Sequence, residues 1–138
     1  MSTTPVTLRD LLLGITETLP ATVNPDDSSV LRALSLAAHA ATATAEGPAA
    51  QDWAFYADAV KHAVRVLEVD HAHTASVIHP APTAGPDSIE LRRATIGLVK
   101  RLADLYATAA ADAIGTEHQR NIWSRVAHYL DDAAAELA

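Results

Sequence analysis

The sequence predicts an all-α protein, an antiparallel bundle of four long helices with a short N-terminal helix in front. Three observations carry that expectation. Apolar residues recur at three-and-four spacing along successive stretches of the chain. The breaks between those stretches hold proline, glycine or a capping residue. Alanine makes up roughly a fifth of the residues while β-branched runs stay short, which favours helix over sheet.

The first helix is expected over 5–19, with Leu8, Leu11, Leu12, Ile15 and Leu19 on one side and Thr4 or Thr7 as its cap. It is short and holds only if docked. The segment around Pro20 breaks it. Asn24 can cap the second helix, with Pro25 at its first position and Asp26 and Asp27 at the positive end of its dipole. That helix is expected over 25–46, burying Val30, Leu31 and Leu34 before its face turns to alanine. Gly47-Pro48 stops it and opens the third helix, expected over 48–78.

On sequence grounds the chain is organised around the third helix. Trp53, Ala57, Val60, Val64, Leu67, His71, Thr74 and Ile78 make one seam. Phe55, Ala59, Val66, Val69 and Val77 make a second row almost opposite, with His62 and His73 among them. Only Asp58, Lys61, Arg65 and Glu68 read as a solvated stripe. A helix apolar on two flanks needs covering on both, by its own chain or by a second copy. The connector that follows carries Pro80, Pro82 and Pro86 and favours extended backbone. Asp87 with Glu90 suits the cap of a fourth helix over 87–114, ended by Gly115. Thr116 with Gln119 has capping-box spacing for a fifth over 116–137, burying Ile122, Trp123, Val126, Tyr129, Leu130, Ala133 and Leu137. Trp53 and Trp123 are expected as core anchors near one another, with the third and fifth helices parallel on either side of the fourth.

Composition bounds the function. The 138 residues fit a single domain that can bury a core without staples. Without cysteine there is no disulfide, thiolate zinc site or cysteine nucleophile. Ten basic against seventeen acidic residues give a net charge of −7, which works against a phosphate-binding surface, so no nucleic-acid partner is expected. The first residues lack a basic leader, and no apolar stretch approaches the ~20 residues of a membrane span. A cytoplasmic, bacterial protein without a membrane partner is the expectation.

Seven histidines invite a search for chemistry. His39 and His128 fall on polar faces, His128 with Asp131 and Asp132 in intrahelical reach. His62, His71 and His73 have valine, leucine and phenylalanine as wheel neighbours. Folding the fourth helix back antiparallel about the proline connector brings Arg92 to Asp70, His73 and Thr74, with His71 in reach. That cluster is expected first as a salt bridge setting helix register, and second as a ligand-binding or proton-transfer site. Glu68-x-x-His71 has the i, i+3 spacing of di-iron bundles, but the second copy is missing, so neither metal nor cofactor is expected. There is no nucleophile elbow, no glycine-rich phosphate loop and no basic recognition helix.

The sequence therefore leans away from an enzyme and toward protein association, as a homodimer through helix 48–78 with Phe55, Ala59, Val66, Val69 and Val77 at the contact. One rival is a small-molecule-binding bundle with an internal pocket beside His62 and His73, floored by alanines of the second helix. Another is a metal-dependent enzyme using Asp70, His71 and His73.

Overall fold

A computed structural model of the chain describes residues 7–19, 24–25, 27–70, 84–112 and 115–138, and for 68–70 the backbone alone. The fold is all-α. Its helices are α1 (Leu8–Thr18), α2 (Ser28–His39), α3 (Pro48–Asp70), α4 (Ile89–Ala111) and α5 (Glu117–Leu137), with one turn of 3₁₀ helix at Ala40–Thr42. No strand occurs among the described residues, and none of their helices is long and apolar enough to cross a membrane.

Most helix starts follow from capping residues. Thr7 accepts from the Asp10 amide at α1. Thr116 and Gln119 form both halves of the expected box at α5, with N···O distances of 3.1 and 2.9 Å. Two caps differ from expectation. Asp27 rather than Asn24 caps α2, accepting from Ser29. Ser88 rather than Asp87 caps α4, accepting from the Leu91 amide at 3.0 Å, which leaves the Asp87 carboxylate for other partners.

The second helix stops at His39 instead of running to Glu46. Beyond it the alanines bury little area, and the threonine backbone finds better partners elsewhere. Thr44 donates to Gly85 O and accepts from the Asp87 amide at 2.9 and 2.8 Å, while Thr42 Oγ1 accepts from the Ala84 amide at 3.1 Å. These tertiary hydrogen bonds outweigh helix propensity in an alanine-rich run. Gly47 then takes a φ of 62°, a left-handed turn that suits glycine, and Pro48 opens α3.

Pinning residues 84–87 against Thr42 and Thr44 decides the topology. It sets the start of α4 beside the start of α3, so the two helices begin at the same end of the bundle. The expected antiparallel pairing of these two helices about the proline connector is thereby corrected. They make almost no direct contact among the described residues; each packs instead on α5, which runs antiparallel to both. The centre of the bundle is α5, burying Ile122, Trp123, Val126, Ala127, Leu130, Ala133, Ala134 and Leu137. Its alanines let the flanking backbones approach closely, whereas α1 and α2 cover the far side of α4.

On α3 the buried set is Trp53, Tyr56, Val60, Ala63 and Leu67. Tyr56 was absent from the expected seam, yet it is fully buried and its hydroxyl donates to Ala37 O. Burial raises its pKa, so the phenol stays protonated. Both tryptophans are core residues as expected, but they are not neighbours. Trp53 lies against the start of α4, whereas Trp123 lies against Gly115 at the opposite end. A Cβ on Gly115 would stand 2.8 Å from Trp123 Cζ3. Gly115→Ala is therefore expected to lower stability by about 1–3 kcal/mol through overpacking, read as a reduced urea midpoint at unchanged slope.

Candidate functional site

Two arrangements of polar and aromatic side chains emerge from this packing. The first gathers around Arg92, near the start of α4. Its Nε donates to Asp87 Oδ1 at 2.8 Å and its Nη2 to Oδ2 at 3.4 Å, a forked grip on one carboxylate. Its Nη1 donates to Asp52 Oδ2 on α3 at 3.1 Å and reaches Leu137 O, at the end of α5, at 3.5 Å. Trp53 Nε1 donates to Asp87 Oδ1 at 2.9 Å, and the guanidinium carbon lies 6.0 Å from the Trp53 ring centre.

Every nitrogen of Arg92 is thus engaged within the chain, and the cluster ties α3, α4 and α5 together at one end. The Arg92 side chain is 19% exposed and that of Asp87 24%, so these contacts are partly sheltered from water. The hydrogen bond from Arg92, followed by that from Trp53, holds the Asp87 carboxyl below the usual carboxylate range. The bond to Asp87 in turn keeps Arg92 firmly protonated.

The expected partners of Arg92 were Asp70, His73 and Thr74, with His71 in reach. The structure gives it Asp87 and Asp52 instead, at the opposite end of α3 from Asp70. A hairpin at the proline-rich stretch would bring Arg92 to Asp70, whereas the start of α4 is anchored beside Thr44. His71, His73, Thr74 and Val77 lie outside the described residues, as do the side chains of Val69 and Asp70. Asp87 and Asp52 were missed. A buried indole N–H and a guanidinium inside an apolar arc both require an acceptor, and the carboxylate five residues before Arg92 was the available signal.

The second arrangement is a shallow open groove of about 490 Å³ between α3 and α5. Phe55, Ala59 and His62 line it from α3, Tyr129 from α5, and the carboxylates of Asp58, Asp132 and Glu136 rim it. The His62 and Tyr129 rings stack with centres 5.4 Å apart and planes 26° apart. His62 Nδ1 lies 2.7 Å from Asp58 O, and half of the imidazole stays exposed. Phe55 is 50% exposed, while Ala59 and Val66 are half-buried against the core. The row opposite the α3 core is therefore covered along one edge by α5 and open at Phe55.

His79 lies outside the described residues, and the other histidines take simpler places. His128 lies 3.5 Å from Asp132 on an exposed face of α5, as the sequence suggested. His39 is half-buried rather than solvated, and His118 is exposed. Among the described residues no group of three or more histidine, aspartate or glutamate side chains has metal-binding geometry. Comparison with known proteins finds no matching family, no matching curated protein and no matching solved structure.

The Arg92 cluster makes a pH prediction. Because the folded-state pKa of Asp87 is depressed, its contribution to stability is present above the unfolded value, about 3.9, and is lost as pH falls through the folded value. Asp87→Asn should therefore destabilise the protein at pH 7 and flatten the loss of stability between about pH 5 and pH 2, measured by urea unfolding across that range. Arg92→Leu should cost about 2–4 kcal/mol at pH 7 by leaving the Asp87 and Asp52 carboxylates without their shared cation.

Proposed function

We propose that this chain is a non-catalytic association protein that pairs with a second copy of itself through the outer face of α3, completed by α5. The observation that carries the reading is Phe55, half-exposed in a groove whose floor continues through Ala59, His62 and Tyr129. An aromatic ring standing in a groove between two helices is a common anchor for a partner's surface. The Arg92 cluster does not compete as a site, because its donors are spent on bonds that join three helices. Among the described residues the expected contact is represented by Phe55, Ala59 and Val66 on α3, beside the adjoining turns of α5.

A small-molecule site beside His62 has less support. His62 faces the open α3–α5 groove and not an enclosed cavity floored by α2. The test of association is size exclusion with light scattering. The chain is expected to run as a dimer at micromolar concentration, and Phe55→Glu is expected to shift it to monomer. Since Phe55 is half-exposed, that substitution should leave the helical circular dichroism intact and move stability by no more than about 1 kcal/mol. A wild-type monomer at the same concentration would contradict the proposal.

A further inference from the structure

The charges around the α3–α5 groove are not evenly spread. Taking the stacked His62–Tyr129 pair as the midpoint, Asp58 lies one turn toward the start of α3, and Asp132 and Glu136 lie the same way because α5 runs antiparallel. Arg65 lies about 4.5 Å and Arg125 about 6 Å beyond the midpoint in the other direction, given 1.5 Å of rise per residue. Both arginines are exposed, and neither forms an ion pair among the described residues. The α3–α5 face therefore has an acidic half, which is the groove itself, and a basic half that lies beyond the two aromatic rings at the groove's end.

From this we infer the orientation of the second copy: a two-fold axis crosses the α3–α5 face at the His62–Tyr129 pair, where the groove ends, setting the acidic half of each protomer's face against the basic half of the other's. The inference rests on the self-association proposed above and specifies its geometry. A two-fold axis running along the groove would put Asp58, Asp132 and Glu136 against their own copies, in a protein already at −7. An axis across the groove inverts position along it, so the levels of Asp58 and Asp132 meet those of Arg65 and Arg125. Arg65 and Arg125 then face the carboxylates of the second copy, each pairing occurring twice. Phe55 is carried past the midpoint to the level of residue 69 of the second copy. Opposite charges placed this way decide register and orientation more than they add affinity.

Charge reversal tests the orientation, with dissociation constants measured by analytical ultracentrifugation. The D58K/D132K/E136K variant makes both halves basic, and R65E/R125E makes both acidic. Each alone is expected to weaken self-association by about tenfold or more through like-charge contact, and an equimolar mixture of the two is expected to recover a heterodimer of near wild-type affinity. If the wild type dimerises while both variants keep its affinity, or if the mixture gains nothing, the orientation is wrong and the association stands. A wild type that stays monomeric overturns both. Circular dichroism checks folding, and should the triple variant not fold, D132K mixed with R65E carries the same comparison.

Discussion

Arg92 is the junction on which the arrangement of the bundle depends. One guanidinium joins the loop before α4 to the start of α3 and the end of α5, through Asp87, Asp52 and the Leu137 carbonyl. Removing Arg92 would strand the Asp87 carboxylate in a partly sheltered site, so the three elements are held to one register. Although α3 and α4 start at the same end, they do not pack along each other, and α5 serves as an apolar wall for both. Its alternation of Ile122, Val126 and Leu130 with Ala127, Ala133 and Ala134 supplies the grip and the clearance for that role.

The candidate surface follows from this sharing. A helix that packs on two neighbours has its core stripe widened, and the residues at the stripe's margin become the floor of a groove. Tyr129 is such a residue on α5, and Phe55, Ala59 and His62 are their counterparts on α3. The ring stack between His62 and Tyr129 closes the groove floor without closing its mouth, which leaves Phe55 half in water. An aromatic side chain left there retains apolar area that a partner surface could remove from water.

Local features were legible in the sequence, and pairing between elements was not. Three-and-four spacing located the helices, Thr116 and Gln119 announced their capping box, and Trp53 and Trp123 were identifiable as core. A helical wheel gives the face that must be buried but not the element that buries it. The third helix was thus read as the centre, although its second row meets only one edge of α5, whose own stripe is the wider one. The end of α2 was misplaced because alanine propensity hid the backbone pairing of Thr44 with residues 85 and 87. Arg92 was correctly expected to hold a partly buried ion pair, but its carboxylates came from Asp87 and Asp52, since the direction of the chain after a proline-rich stretch is not encoded in periodicity.

The shared start of α3 and α4 is the claim from which the rest descends, and spin-label distances test it directly. The chain has no cysteine, so paired labels at the exposed positions Gln51, Arg65 and Glu90 can be introduced cleanly. Arg65 lies about 21 Å further along α3 than Gln51, so double electron–electron resonance should give a clearly shorter distance for the 51–90 pair than for the 65–90 pair. The reverse order would mean that α4 begins beside the far end of α3, and the Arg92 junction and the groove built on it would both be wrong.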